Sequence, residues 1–113
     1  IKIYNHGEMF RDFTYIEDII NGLRASIEFN YEFEIFNLGN NKCEKIINMV
    51  KYIEKDLNKS ALIKFTNMQR GDVLKTFADI SSAKEKLNFN PQTSIREGIP
   101  KFIKWYKDYH RLG

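Results

Sequence analysis

Short segments with strand character alternate with amphipathic helical segments along the whole chain, and this alternation constrains the fold most. In the predicted helices, apolar residues recur every three or four positions, the spacing that places them on one face. The sequence predicts strands at 1–4, 34–37 and 62–66, and helices at 16–29, 44–57, 80–87 and 95–109. The pattern indicates an α/β fold of short strands with three to four helices, too few strands for a complete doubly wound sheet.

Four polar or helix-breaking residues refine the prediction of the last two helices. Asp79 is placed to cap the helix at 80–87. Ser94 and Glu97 have the spacing of a capping box, which predicts the start of the final helix. Pro100 lies six positions after Ser94, where its missing N–H predicts a kink or a restart of that helix.

Composition excludes several classes of protein. The chain has 113 residues, a net charge of +3 and lysines interleaved with acidic residues, which is typical of a solvated surface and not of a nucleic-acid-binding stripe. No apolar run approaches the ~20 residues that span a bilayer. The single cysteine, Cys43, excludes an intrachain disulfide and favours a reducing compartment. We therefore expect a cytoplasmic protein without membrane or nucleic-acid partners.

The sequence contains none of the usual catalytic or cofactor motifs. It has no Gly-x-Gly-x-x-Gly, no P-loop and no Tyr-x-x-x-Lys, and His6 and His110 lie far apart. The first residue is Ile, and Ile1 to Tyr4 already alternate like a strand in progress. These features predict that residues 1–113 are one lobe of a longer polypeptide, with no catalytic, cofactor or metal residues of their own.

Two polar loops are the best candidates for a binding site. The first, residues 5–15, holds Arg11 and Asp12 between Phe10 and Phe13. The second, residues 67–72, holds Arg70 and Gly71. Either arginine could grip a phosphate through two parallel N–H donors. The alternative is structural: Arg11 pairs with an acidic neighbour, and Gly71-Asp72 is simply a turn. The residues alone leave both interpretations open.

Six short motifs, in order, resemble the C-terminal part of the extended short-chain dehydrogenase/reductase family of NAD-dependent epimerases and dehydratases. They cover essentially the whole chain. They are Tyr4-Asn5-His6-Gly7, Arg11-Asp12-Phe13-Thr14-Tyr15, Phe36-Asn37-Leu38-Gly39, Met68-Gln69-Arg70-Gly71-Asp72-Val73, Thr76-Phe77-Ala78-Asp79, and Phe89-x-Pro91 with the aromatic final helix. The Asn-His-Gly turn and the Met-Gln-x-Gly-Asp-Val loop are most similar to UDP-glucuronate 4-epimerases.

The resemblance implies a lobe that binds a nucleotide sugar, next to an N-terminal Rossmann domain absent from this chain. That domain would hold NAD and the Tyr-x-x-x-Lys pair. By the same resemblance, Lys2, Ile3 and Tyr4 form the strand beside uracil, Arg11 contacts the diphosphate, and the 69–72 loop contacts diphosphate or ribose through Gln69, Arg70 and Asp72. Arg70 stands where relatives often have Pro, which puts its role in doubt.

The resemblance implies a homodimeric full-length enzyme that interconverts UDP-glucuronate and UDP-galacturonate, while this chain alone is expected to be inactive. Three alternatives stay open. The chain could be a stand-alone UDP-sugar-binding module, a self-associating fragment, or the same lobe of a nucleotide-sugar dehydratase.

Overall fold

The computed structural model describes residues 1–112, which form four helices and four short strands in an α/β arrangement. In chain order these are β1 (Lys2–Ile3), a 3-10 turn (Tyr4–Gly7), β2 (Phe10–Asp12), α1 (Ile16–Glu28), β3 (Cys43–Lys45), α2 (Ile46–Leu57), β4 (Lys64–Phe65), α3 (Ser81–Leu87) and α4 (Ile95–His110).

The strands form two small pairs. β1 lies parallel to β4, with Lys2 opposite Lys64. β2 lies antiparallel to β3, with Arg11 opposite Glu44. A further segment runs beside β2, since the Phe10 N–H donates to Leu74 O at 2.9 Å and the Thr76 N–H donates to Phe10 O at 3.2 Å. No complete doubly wound sheet is present in residues 1–112.

The helices pack in two pairs, α1 against α3 and α2 against α4. The core cluster lies under α3 and consists of Ile80, Ala83, Leu87 and Phe89, with Ala25 of α1 packed on it. Gly22 allows the close approach, because a Cβ there would lie 2.8 Å from a Leu38 methyl carbon and 3.0 Å from the Phe89 ring.

The four predicted helices are confirmed. The capping box at Ser94 and Glu97 is present in full at the start of α4. α4 then runs as one helix across Pro100, so the predicted restart there is wrong. One missing N–H near the start of a 16-residue helix is tolerated where packing on α2 continues along the helix.

The predicted strand at 34–37 is wrong for this chain. Residues 34–37 join none of the strand pairs in the described part of the chain. Ile35 and Phe33 are 76% and 85% exposed. A strand needs a neighbour for its backbone hydrogen bonds, and within residues 1–112 this segment has none.

Within residues 1–112, no helix has the length and apolarity needed to cross a bilayer.

Candidate functional site

The side chain of Arg11 is the centre of the candidate site. Its Nη1 donates to the carbonyls of Phe10 at 2.8 Å and Val73 at 2.9 Å. Its Nη2 donates to Asp72 Oδ1 at 2.8 Å. The Arg11 side chain is 21% exposed and that of Asp72 is 29% exposed, so solvent reaches this ion pair only in part. The two polar loops predicted from the sequence therefore meet at this point.

The structure has the contacts that the structural alternative predicted, an ion pair of Arg11 and a turn at Gly71 and Asp72. Arg11 does pair with an acid, and residues 69–72 do form a turn, with Gly71 at φ +81° and the Asp72 N–H donating to Gln69 O at 3.3 Å. These contacts leave Arg11 free to act as a ligand residue. A guanidinium has five N–H donors, and the three bonds formed within residues 1–112 all use Nη1 or Nη2, so Nε–H still has capacity for an anion.

The other predicted contacts are distributed along the β1–β4 pair and the turn. Ile3 is only 4% exposed and belongs to the core, whereas Lys2 faces solvent and Tyr4 is half-buried in the 3-10 turn. The Ile3 carbonyl accepts from the Thr66 N–H at 2.9 Å. Gln69 and Arg70 are exposed. Arg11 and Asp72 are thus the predicted residues that the structure joins directly.

Asp12 lies beside Arg11 and is not among the ligand-binding residues predicted from the sequence. Its Oδ1 accepts from the Asn40 N–H at 2.9 Å. Its Oδ2 accepts from the N–H groups of Asn41 and Ala78, both at 3.1 Å. The available signal was a second charged residue in the predicted polar loop, between Arg11 and Phe13.

Asp18, in the first turn of α1, has a comparable role for the segment that precedes α4. It is 6% exposed, and it accepts from the backbone N–H groups of Gln92 at 3.2 Å and Thr93 at 2.9 Å. Its position in the first turn of α1 is also favourable for a negative charge. The structure shows that it ties α1 to the segment before α4.

Local hydrogen bonds lower the pKa of three carboxyl groups in turns and at helix starts. The Ser94 hydroxyl lowers the pKa of Glu97, and the Ser81 hydroxyl lowers that of Asp79. The hydrogen bond between Glu34 and Lys86 lowers the pKa of Glu34 and raises that of Lys86. All four groups stabilise local structure, and none contacts Arg11.

No group of three or more His, Cys, Asp or Glu side chains within residues 1–112 is placed to hold a metal ion. The Cys43 thiol donates to Thr76 O at 3.0 Å, which gives it a structural contact beside β2.

Comparison with known proteins identifies relatives of the chain. The chain is 46% identical over 106 residues to the uncharacterized protein MJ1055 of Methanocaldococcus jannaschii. The alignment covers 94% of this chain and 32% of that protein. It is 41% identical over 109 residues to UDP-glucuronate 4-epimerase of Thermodesulfobacterium geofontis, covering 96% of this chain and 33% of that enzyme. The chain is homologous to UDP-glucuronate 4-epimerases and related NAD-dependent epimerases. This confirms the family indicated by the six motifs.

The fold of the chain agrees with that of a solved member of the family. UDP-glucuronic acid 4-epimerase of Bacillus cereus, in complex with UDP-glucuronic acid and NAD, superposes with a TM-score of 0.80 at 33% identity, over 93% of this chain and 35% of that one. No protein-family model matches the chain. The chain spans about a third of the length of the curated relatives it matches.

Proposed function

We propose that residues 1–113 are the nucleotide-binding lobe of an NAD-dependent UDP-sugar 4-epimerase that interconverts UDP-glucuronate and UDP-galacturonate. The observation that carries this proposal is the junction of Arg11 with the 69–72 turn, in a chain homologous to such enzymes. A diphosphate needs fixed cationic donors, and Arg11 is already oriented by three hydrogen bonds.

Charge on the neighbouring strands supports an anionic ligand. Lys2 and Lys64 lie opposite each other in the parallel β1–β4 pair, and both are exposed. Like charges in register destabilise a strand pair, and an anion near them offsets that repulsion. We place the uracil end of the nucleotide along β1, beside Tyr4.

NAD does not fit a site built from this chain. The sequence has no glycine-rich dinucleotide turn and no Tyr-x-x-x-Lys pair. In our proposal, NAD and the groups that move protons and hydride belong to an N-terminal Rossmann domain of the full-length enzyme, which acts as a homodimer in the cytoplasm. The chain alone is inactive.

An exposed apolar stripe on α1 supports such a domain partner. Ile16, Ile20, Leu23 and Ile27 recur at helical spacing on one face, and they are 46–76% exposed. An apolar groove of about 270 Å³ continues the stripe, with Ile16, Tyr15 and Phe102 among its lining residues. A continuous apolar surface of this kind is characteristic of an interface.

The unpaired segment at 34–37 lies beyond the same helix and supports the same partner. The sequence predicts a strand there, and the segment lacks a neighbouring strand within residues 1–112. We propose that it pairs with the edge of the Rossmann sheet while the α1 stripe packs on the face of that sheet.

The nucleotide contact is tested by NMR titration of the ¹⁵N-labelled chain with UDP, using Arg11→Ala and Arg70→Ala as a matched pair. We expect weak binding by the unaltered chain, because the other wall of the pocket belongs to the partner domain. Arg11→Ala should abolish it and Arg70→Ala should retain it, since Arg70 is exposed. Equal losses in the two variants, or the absence of shifts near Arg11 at millimolar UDP, would count against the proposal.

The reaction is tested with the full-length protein that carries this chain. It should convert UDP-glucuronate to UDP-galacturonate in the presence of NAD, as followed by anion-exchange chromatography, whereas residues 1–113 should give no product. Formation of a 4-keto-6-deoxy sugar from a nucleotide hexose would instead indicate the dehydratase alternative.

A further inference from the structure

Asp12 connects three parts of the chain that are far apart in sequence. Its carboxylate accepts from Asn40 and Asn41, which lie 28 and 29 positions away, and from Ala78, which lies 66 positions away. Its own N–H donates to Thr76 Oγ1 at 3.3 Å. One carboxylate with three backbone donors fixes a junction between β2, the 39–41 turn and the end of the 72–78 segment.

The junction is tightly packed. A Cβ at Gly39 would lie 2.4 Å from the Ala78 Cβ and 3.1 Å from Asp12 Oδ2, so only glycine allows the turn to approach this closely. The 39–41 turn and residue 78 are therefore held together around the Asp12 carboxylate by both hydrogen bonding and steric fit.

The same junction anchors the segment that follows the candidate nucleotide turn. Three consecutive residues of β2 hold residues 72–78, and they do so at successive points along the segment. Arg11 bonds to Asp72 and Val73, Phe10 bonds to Leu74 and Thr76, and Asp12 bonds to Thr76 and Ala78. Asp12 is the anchor at the far end, so its loss frees the segment to shift relative to Arg11.

We propose that Asp12 is a positioning residue for the nucleotide site: without touching the ligand, it holds the 72–78 segment so that Asp72 stays opposite Arg11. This inference rests on the proposed function, because it assigns Arg11 to the diphosphate. In Asp12→Asn, one carboxylate oxygen becomes an NH₂ group, which faces backbone N–H donors and leaves at least one of them without an acceptor.

The test compares Asp12→Asn with Asp18→Asn in the full chain. Asp18 is a matched control, since its carboxylate also accepts backbone N–H groups but joins α1 to residues 92 and 93, outside the candidate site. UDP affinity is measured by NMR titration under conditions where both variants are folded. We expect Asp12→Asn to bind UDP about tenfold more weakly, and Asp18→Asn to bind within about twofold of the unaltered chain.

Each remaining outcome decides the question. Equal affinities in the two variants would overturn the inference, because Asp12 would then act on stability alone. If Asp12→Asn does not fold, Thr76→Val removes only the acceptor of the Asp12 N–H; a smaller loss of affinity supports the inference, and no loss overturns it.

Failure of the proposed function is distinguishable from failure of this inference. If the unaltered chain gives no UDP shifts, the nucleotide assignment is wrong, and amide exchange then reports on positioning separately. Faster exchange across residues 72–78 in Asp12→Asn, but not in Asp18→Asn, would retain Asp12 as the residue that orders the segment. Unchanged exchange would remove that role as well.

Discussion

Replacing Asp18 by Asn should destabilise the chain strongly while changing the shape of the side chain little. Asp18 is 6% exposed, in the first turn of α1. Its two oxygens accept separately, Oδ1 from the Gln92 N–H and Oδ2 from the Thr93 N–H. Asparagine keeps a single oxygen acceptor and turns a donor toward the other N–H.

The magnitude follows from these two bonds. A hydrogen bond to a charged group contributes about 1.5–3 kcal/mol, and a neutral one contributes about 0.5–1.5 kcal/mol. One bond at Asp18 becomes neutral and the other is lost, leaving a buried N–H without an acceptor. Asp18→Asn should therefore lower the free energy of unfolding by about 3 kcal/mol, including a small loss of favourable charge at the helix start.

Urea unfolding followed by far-ultraviolet circular dichroism measures this change, and Glu17→Gln is the matched control. Glu17 lies in the same turn and carries the same charge, but it is exposed and its ion-pair distance to Lys101 is 3.9 Å. Glu17→Gln should lower the free energy of unfolding by about 0.5 kcal/mol. If the two variants differ by less than about 1 kcal/mol, the reasoning that the backbone bonds of Asp18 stabilise the fold is refuted.

Two further predictions concern packing and pH. Gly22→Ala should destabilise the chain by about 1–3 kcal/mol in the same urea assay, because the new methyl group would overlap Leu38 and Phe89. Stability should also fall as the pH is lowered below about 4.3, the ordinary glutamate value, because the Ser94 hydroxyl lowers the pKa of Glu97 in the folded chain. Glu97→Gln cannot titrate, so its unfolding free energy should depend less steeply on pH between about 5 and 3.

Gly22→Ala and Glu97→Gln each have a control variant on the same helix. Asn21→Ala changes an exposed neighbour of Gly22 and should leave stability nearly unchanged; if Gly22→Ala is equally neutral, the α1–α3 contact is looser than the structure indicates. Lys104→Gln changes an exposed charge on α4 that does not act on Glu97, and it should preserve the acid dependence. A pH profile for Glu97→Gln that overlays that of the unaltered chain would contradict the linkage at the capping box.

The helices could be predicted because their signals are local. The apolar spacing in α1 and α2 and the capping box of α4 depend on residues within one or two turns of each other. The strands were less predictable. Residues 43–45 form β3 only because β2 lies beside them, and a sequence pattern does not show which segment will be adjacent.

The sequence by itself determined the family and the helices, and it selected Arg11 and the 69–72 loop as the candidate site, because each is encoded in a short run of residues. The tertiary structure decided what those residues contact. It paired Arg11 with Asp72, 61 positions away, and it made Asp12 an acceptor for three backbone N–H groups. It also left 34–37 without a strand partner. These outcomes depend on which distant segments come together, and no local pattern carries that information.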